Sequence, residues 1–175
     1  MVLAGEVGTI FLASGFAAVV RFENCHNVRV RDIAFDYDPP LFSQGRIVSI
    51  AQDRRSFTWQ MAPGFPAPDS ETFAGLNPIP ALVLDRADEI APHSHGNFSV
   101  GTSEPLGNGL WRLHSGDERT LPAYAGEASA LLMYRRFKWT QAVVVSGCVW
   151  MDFEGVEVWG APEFAFFVES STGVS

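Results

Sequence analysis

Five residues are the candidates for chemistry in this sequence: Asp36, Asp38, Gln141, Trp159 and Glu163. Asp36 and Asp38 are two residues apart, so on a β-strand their carboxylates share one face and could bind ligand hydroxyls or a cation. The alternative, which we favour from the sequence, is that the pair caps the turn before Pro39 and Pro40. The choice depends on the elements that position these side chains.

An internal repeat predicts those elements. Apolar residues stand five and three positions before Cys25 and three, five, eight and ten positions after it, and the same offsets from Cys148 are also apolar. A third copy is centred on Ser171, with apolar residues at three of these offsets: Phe166, Val168 and Val174. Short apolar runs with period-2 alternation, separated by brief turns, are typical of a solenoid of strands.

The spacing of the copies predicts where the solenoid is interrupted. Ser171 follows Cys148 by 23 residues, the length of one coil, whereas Cys148 follows Cys25 by 123 residues. About 100 residues are therefore inserted into a single coil. Counting one coil length back from Val30, Ile33 and Phe35 gives three residues that are also apolar: Val7, Ile10 and Leu12. The repeat therefore predicts an earlier coil in which these three side chains point inward. We predict solenoid coils at 1–38 and 138–175 and an inserted domain at 39–137.

The inserted segment is predicted to be a small antiparallel β-domain. Asp38-Pro39-Pro40 ends the preceding strand because proline cannot continue a hydrogen-bonded ladder. A Pro-rich loop at 62–80 has room for one helical turn near residues 70–74. The short strand candidates are 44–51, 57–61, 81–85, 98–100, 109–114 and 129–136. This pattern is typical of a small barrel or sandwich.

Composition excludes several classes of protein. The 175 residues include 12 basic and 20 acidic side chains, a formal net charge of −8, and 47% are hydrophobic. This balance is typical of a core-forming chain and argues against nucleic acid or an anionic membrane as partner. No apolar run reaches the ~18–20 residues of a membrane span. The repeat is already under way at the N-terminus and still open at Ser175, so we interpret the chain as a piece of a longer protein.

The two cysteines occupy the same inward position of adjacent coils in this scheme. Stacked strands are ~4.8 Å apart, so a disulfide between Cys25 and Cys148 is open to consideration, but we favour buried free thiols acting as small hydrophobes. Asn24 and Asn27 flank the first cysteine. We predict that both are corner residues, because asparagine tolerates the left-handed conformation.

Two segments carry a family resemblance: NCHNVRVRDIAFDYDPPLFSQGRI at 24–47 and SGCVWMDFEGVEVWGAPEFAFFVES at 146–170. With a β-rich insertion between them, they resemble the right-handed parallel β-helix proteins of the pectin-lyase-like superfamily. More narrowly, the chain resembles the blood-group-B-type alpha-1,3-galactosidases, whose β-helix is interrupted by a small β-barrel. The resemblance implies an extracellular or periplasmic location.

The resemblance also implies a carbohydrate-active enzyme with two carboxylates acting across a cleft along one sheet. In such families the catalytic pair, often adjacent aspartates, lies in later coils, and this chain has no Asp-Asp pair. We expect the N-terminal part of a glycoside hydrolase, alpha-galactosidase-like, with its main catalytic acids beyond Ser175 and no activity of its own. The alternatives are a non-catalytic carbohydrate-binding or surface module, a polysaccharide lyase, and a structural fragment.

Within that scheme the remaining candidates take specific roles. Glu163 lies at a coil edge that tends to face the cleft in β-helix enzymes, and it is our first choice of site residue. Gln141 holds the matching edge one coil earlier and could donate a hydrogen bond to a sugar. Trp159 is either a stacking platform for a sugar ring or a buried corner residue. Five acidic and no basic residues after Lys138 disfavour a polyanionic substrate such as pectate in the absence of calcium.

No cofactor or metal is expected. His93-Ser94-His95 is too short for a zinc site without further ligands, so we interpret it as a polar loop. Arg135 and Arg136 could clamp an anion, but contacts at the end of the inserted domain are the favoured interpretation. The expected partner is an oligo- or polysaccharide, and the oligomeric state is left open.

Overall fold

The structure, a computed structural model, describes residues 1–84, 98–123, 125–126, 129–134, 141–161 and 164–175. The chain is all-β, as predicted. Its described strands are β1 (Val2–Ala4), β2 (Ile10–Ala13), β3 (Val20–Glu23), β4 (His26–Arg31), β5 (Ala34–Tyr37), β6 (Phe42–Ile50), β7 (Ser56–Met61), β8 (Ile79–Leu84), β9 (Phe98–Gly107), β10 (Leu110–Ser115), β11 (Ala130–Tyr134), β12 (Val143–Ser146), β13 (Val149–Glu154), β14 (Glu157–Val158), β15 (Phe166–Glu169) and β16 (Thr172–Val174). A 3₁₀ turn at Glu71–Phe73 lies in the Pro-rich segment, where one helical turn is predicted.

The chain divides into two compact units, residues 1–41 with 136–175 and residues 42–135. The sequence placed the first boundary after Asp38, and the structure places it after Leu41. The difference arises because Leu41 is buried in the core of the first unit.

The first unit contains three small parallel sheets, with strand orders β1-β4-β13-β16, β15-β12-β3 and β14-β5-β2. Val143 of β12 lies opposite Val20 on one side and opposite Phe166 on the other. Met151 of β13 likewise lies between Val28 and Val174. Strands 123 and 23 residues apart therefore pair in the register that the repeat predicts.

Aromatic rings pack in a column in this unit, from the buried Phe22 to the partly exposed Phe166. The ring of Phe153 lies 5.8 Å from that of Phe22 and 5.3 Å from that of Phe166, edge to face in both cases. Such pairs stabilise a core beyond the apolar area that they bury. The column passes through three successive copies of the repeat and so holds their register.

The predicted register of the earliest copy is wrong. The repeat places Leu12 opposite Phe35, whereas the structure pairs Phe11 with Phe35. A slip of one residue turns every side chain of a strand to the opposite face. In β1 it is Leu3, not Val7, that pairs with Val30, and Val7 is fully exposed in the turn before β2. Ile10, Phe11 and Leu12 are all exposed on the edge strand β2. The cause of the slip in β2 is one extra residue between β2 and β3: Phe11 and Val20 are nine positions apart, whereas the residues at the same register positions one coil later, Val158 and Phe166, are eight apart.

Residues in the left-handed conformation form columns at the corners of the first unit. The first column follows the paired ends of β3, β12 and β15 and consists of Asn24, Gly147 and Ser170, with φ of 52°, 61° and 49°. The second consists of Asn27, Trp150 and Gly173, with φ of 53°, 60° and 65°. The two asparagines are corner residues, as predicted.

A ladder of side-chain hydrogen bonds runs between these columns. The backbone N–H of Cys25 donates to Sγ of Cys148 at 3.3 Å, and the N–H of Cys148 donates to Oγ of Ser171 at 2.9 Å. The Cys148 thiol and the Ser171 hydroxyl each donate to the carbonyl two residues earlier in the chain. Both cysteines are free thiols, and burial raises the pKa of Cys25. The thiols therefore serve the same structural purpose as the serine.

The second unit is a closed antiparallel barrel with the strand order β10-β7-β6-β11-β8-β9. Trp59, Leu113, Leu131 and Met133 are among the side chains in its core. Tyr134 at the end of β11 lies opposite Phe42 at the start of β6. The barrel's first and last described strands are therefore neighbours, which is the geometry that lets a folded domain be inserted into another chain segment.

The left-handed columns predict a specific effect of Gly147→Ala. Gly147 has a positive φ, and an added Cβ would lie 2.6 Å from Oδ1 of Asn24. We expect the variant to lower the free energy of unfolding by about 1–2 kcal/mol from backbone strain alone, with a further loss from the contact. Denaturant unfolding of purified protein measures it.

Gly8→Ala is the matched control, because Gly8 also has a positive φ but nothing lies within 4 Å of an added Cβ. Equal losses in the two variants would show that the stacked contact with Asn24 contributes nothing.

Candidate functional site

The outer face of the β14-β5-β2 sheet carries two of the predicted site residues. Phe35 and Tyr37 are buried, and Asp36 between them points to the outer face. Glu157 lies opposite Ala34, and Trp159 is one position beyond the last paired residue of β14, with its N–H donated to the Phe35 carbonyl at 2.8 Å. Trp159 and Asp36 therefore occupy the same register position in neighbouring strands.

A groove of about 540 Å³ borders this face. Its lining includes the turn Gly5–Thr9, Glu157 and Trp159. It also includes the corner at which Asp32 and Gly155 stack, both with positive φ. A Cβ at Gly155 would lie 2.5 Å from Oδ1 of Asp32, so only glycine leaves room for that carboxylate.

The groove combines apolar surface with negative charge. The Trp159 side chain is 48% exposed and Ile10 is 44% exposed. The described lining includes three carboxylates, Glu6, Asp32 and Glu157, and no basic side chain. In the part of the chain that the structure describes, no group of three or more His, Cys, Asp or Glu residues could hold a metal ion. The carboxylates can accept hydrogen bonds from a ligand that enters the groove.

The other predicted site residues are Asp38, Gln141 and Glu163, and the structure describes the first two. Asp38 is exposed, and its N–H donates to the Ala13 carbonyl at 3.1 Å. Gln141 is 3% exposed, so its amide is buried and not presented to a ligand at the surface. Glu163 lies outside the described residues, as do the His93–His95 and Arg135–Arg136 segments.

Trp150 is a candidate that the sequence alone did not indicate. Its side chain is 66% exposed, the largest exposed fraction among the described tryptophans. It stands two residues after Cys148, where the other copies have Asn27 and Gly173. An aromatic residue at a position otherwise held by left-handed residue types is the signal that could have identified it.

Comparison with known proteins gives no relationship: the chain matches no family model and no curated protein sequence. Among the described residues, no helix has the length and apolar character needed to cross a bilayer. The family resemblance read from the sequence therefore stays a prediction, and the functional argument depends on the groove itself.

Tyr37, which separates Asp36 from Asp38, gives a prediction about pH. Burial raises the pKa of Tyr37 to about 12, and its hydroxyl donates to the Ala17 carbonyl at 3.0 Å. Since the unfolded pKa is ~10, this side chain stabilises the fold fully below about pH 10. The contribution is lost as pH rises from about 10 toward 12.

Ultraviolet titration of the native protein checks this by following phenolate formation. We expect one tyrosine to ionise near pH 12 and Tyr37→Phe to lack that step. If the titration step that Tyr37→Phe loses lies near pH 10 instead, the buried environment assigned to Tyr37 is wrong.

Proposed function

We propose that the first unit is part of a right-handed parallel β-helix of the pectin-lyase-like type and that its groove beside Trp159 binds a neutral carbohydrate. The parallel pairing of the copies centred on Cys25, Cys148 and Ser171 supports the β-helix, since each copy adds one strand to each of two sheets. The inserted barrel supports the narrower likeness to alpha-1,3-galactosidases.

The observation that carries the binding proposal is the half-exposed indole of Trp159 beside carboxylates in a groove without basic lining. One face of a pyranose ring presents C–H groups that pack on an aromatic plane, and its hydroxyls donate hydrogen bonds to carboxylates. Asp36 in the neighbouring strand adds another acceptor at the same edge. The negative charge disfavours uronate polymers, so the ligand class is neutral.

Binding is the function that these residues support better than hydrolysis. A glycosidase needs two carboxyl groups, one of them in apolar surroundings that keep it protonated. Glu6, Asp32 and Glu157 are all exposed. We retain a glycoside hydrolase as the proposed class of the protein, acting outside the cytoplasm, and assign no catalytic residue among those described.

Trp159→Ala tests the proposal by isothermal titration calorimetry with α-1,3-galactobiose and cellotetraose as neutral probes. We expect the variant to weaken binding at this groove at least tenfold, about 1.4 kcal/mol, because the stacking surface is lost. Glu157→Gln keeps the shape but replaces a charged acceptor, so a smaller loss is expected.

Leu106→Ala is the control, since Leu106 is a comparably exposed apolar side chain on the barrel. Trigalacturonate should bind more weakly than the neutral probes. Unchanged affinity in Trp159→Ala, or no binding of either neutral probe by the wild-type chain, contradicts the proposal.

A further inference from the structure

Trp150 combines an unfavourable backbone with an exposed ring. Its φ of 60° lies in the left-handed region, which bulky L-residues adopt only at an energetic cost. Its neighbours in the column, Asn27 and Gly173, are residue types that adopt this conformation easily. Because the side chain is 66% exposed, little burial compensates for the strain. Backbone strain of this kind is enriched at ligand-binding and active sites.

The backbone around Trp150 holds the ring in a defined place. An added Cβ on Gly173 would lie 2.7 Å from Cε3 and 3.1 Å from Cδ2 of the indole, so one face of the ring covers the Gly173 backbone. Val149 pairs with Thr172 and Met151 with Val174 on either side. The ring thus rests on the adjacent strand and keeps much of its surface in solvent.

A groove of about 340 Å³ lies against this ring. Arg29 and Asp152 line it and form an ion pair, with Nε to Oδ2 at 2.9 Å. Ser175 Oγ donates to Oδ1 of the same aspartate at 3.4 Å. Asn27 also lines the groove. The lining therefore presents donors and acceptors side by side.

The charges of this groove compensate one another. Arg29 and Asp152 are the charged side chains of its described lining, and their ion pair neutralises both. A net-neutral lining gives no electrostatic preference for an ion. Adjacent donors and acceptors beside an aromatic plane match a ligand that has hydroxyl groups and an apolar ring face.

We propose that Trp150 is the platform of a second binding site for a neutral saccharide, on the β1-β4-β13-β16 sheet. The choice of ligand class rests on the proposed function, but the site has its own residues and lies on a different sheet from the Trp159 groove. The indole stacks on a pyranose ring, and Arg29 and Asp152 hydrogen-bond adjacent hydroxyls.

Trp150→Asn tests this site, because asparagine suits the left-handed position and removes the ring. With α-1,3-galactobiose and cellotetraose as probes, we expect calorimetry to show two sites in the wild-type chain and one in Trp150→Asn. The indole N–H signal of Trp150 is identified as the one that is missing from the NMR spectrum of Trp150→Asn. In the wild-type spectrum, this signal should shift on saccharide addition with its own saturation curve. We expect the melting temperature of the variant to be equal to or higher than that of wild type.

The outcomes separate the two proposals. Binding that is lost in Trp159→Ala but unchanged in Trp150→Asn overturns the second site and leaves the first. Binding lost only in Trp150→Asn supports the second site and removes the first, and no binding by the wild type overturns both. A melting temperature lowered by several degrees in Trp150→Asn, with saccharide binding intact, would show that the ring has a packing role. Asn24→Gly, at another left-handed corner, is the control and should leave binding unchanged.

Discussion

The first unit depends on how tightly the chain turns between successive strands. At the corner after β3, β12 and β15 the backbone enters the left-handed region twice within four residues, as at Asn24 and Asn27. Only a few residue types adopt this conformation cheaply. The corners therefore stack only when the copies lie in register. The hydrogen bonds of Cys25, Cys148 and Ser171 then run from one copy to the next and connect the stack.

Register at the corners determines which side chains meet in the core and which face solvent. Phe22, Phe153 and Phe166 form one column because their corners are stacked. The same alternation directs Asp152 and Glu157 outward. Both proposed saccharide sites lie on outer faces beside left-handed corners, one at Trp150 and one at the Asp32–Gly155 stack. The corners that order the core thus also shape the two grooves.

The barrel shows why a long interruption does not disturb this order. Pairing strands 123 residues apart through a flexible loop would be opposed by the entropy of closing that loop. A folded domain whose first and last described strands are neighbours removes most of that cost, because its ends are already close together. The inserted segment contributes a separate core around Trp59 and Leu131.

The sequence by itself determined the all-β class, the pairing of the later copies and the corner positions of Asn24 and Asn27. These follow from apolar spacing and from residue types that tolerate a left-handed backbone, which are local properties. Only the tertiary structure decided the register of the first copy, because an extra residue between β2 and β3 and a longer turn at Gly5–Thr9 shift β2 and β1 by different amounts. It also decided that Trp159 is exposed and Gln141 is buried. Burial depends on neighbouring strands that are far away in sequence, and no local pattern records them.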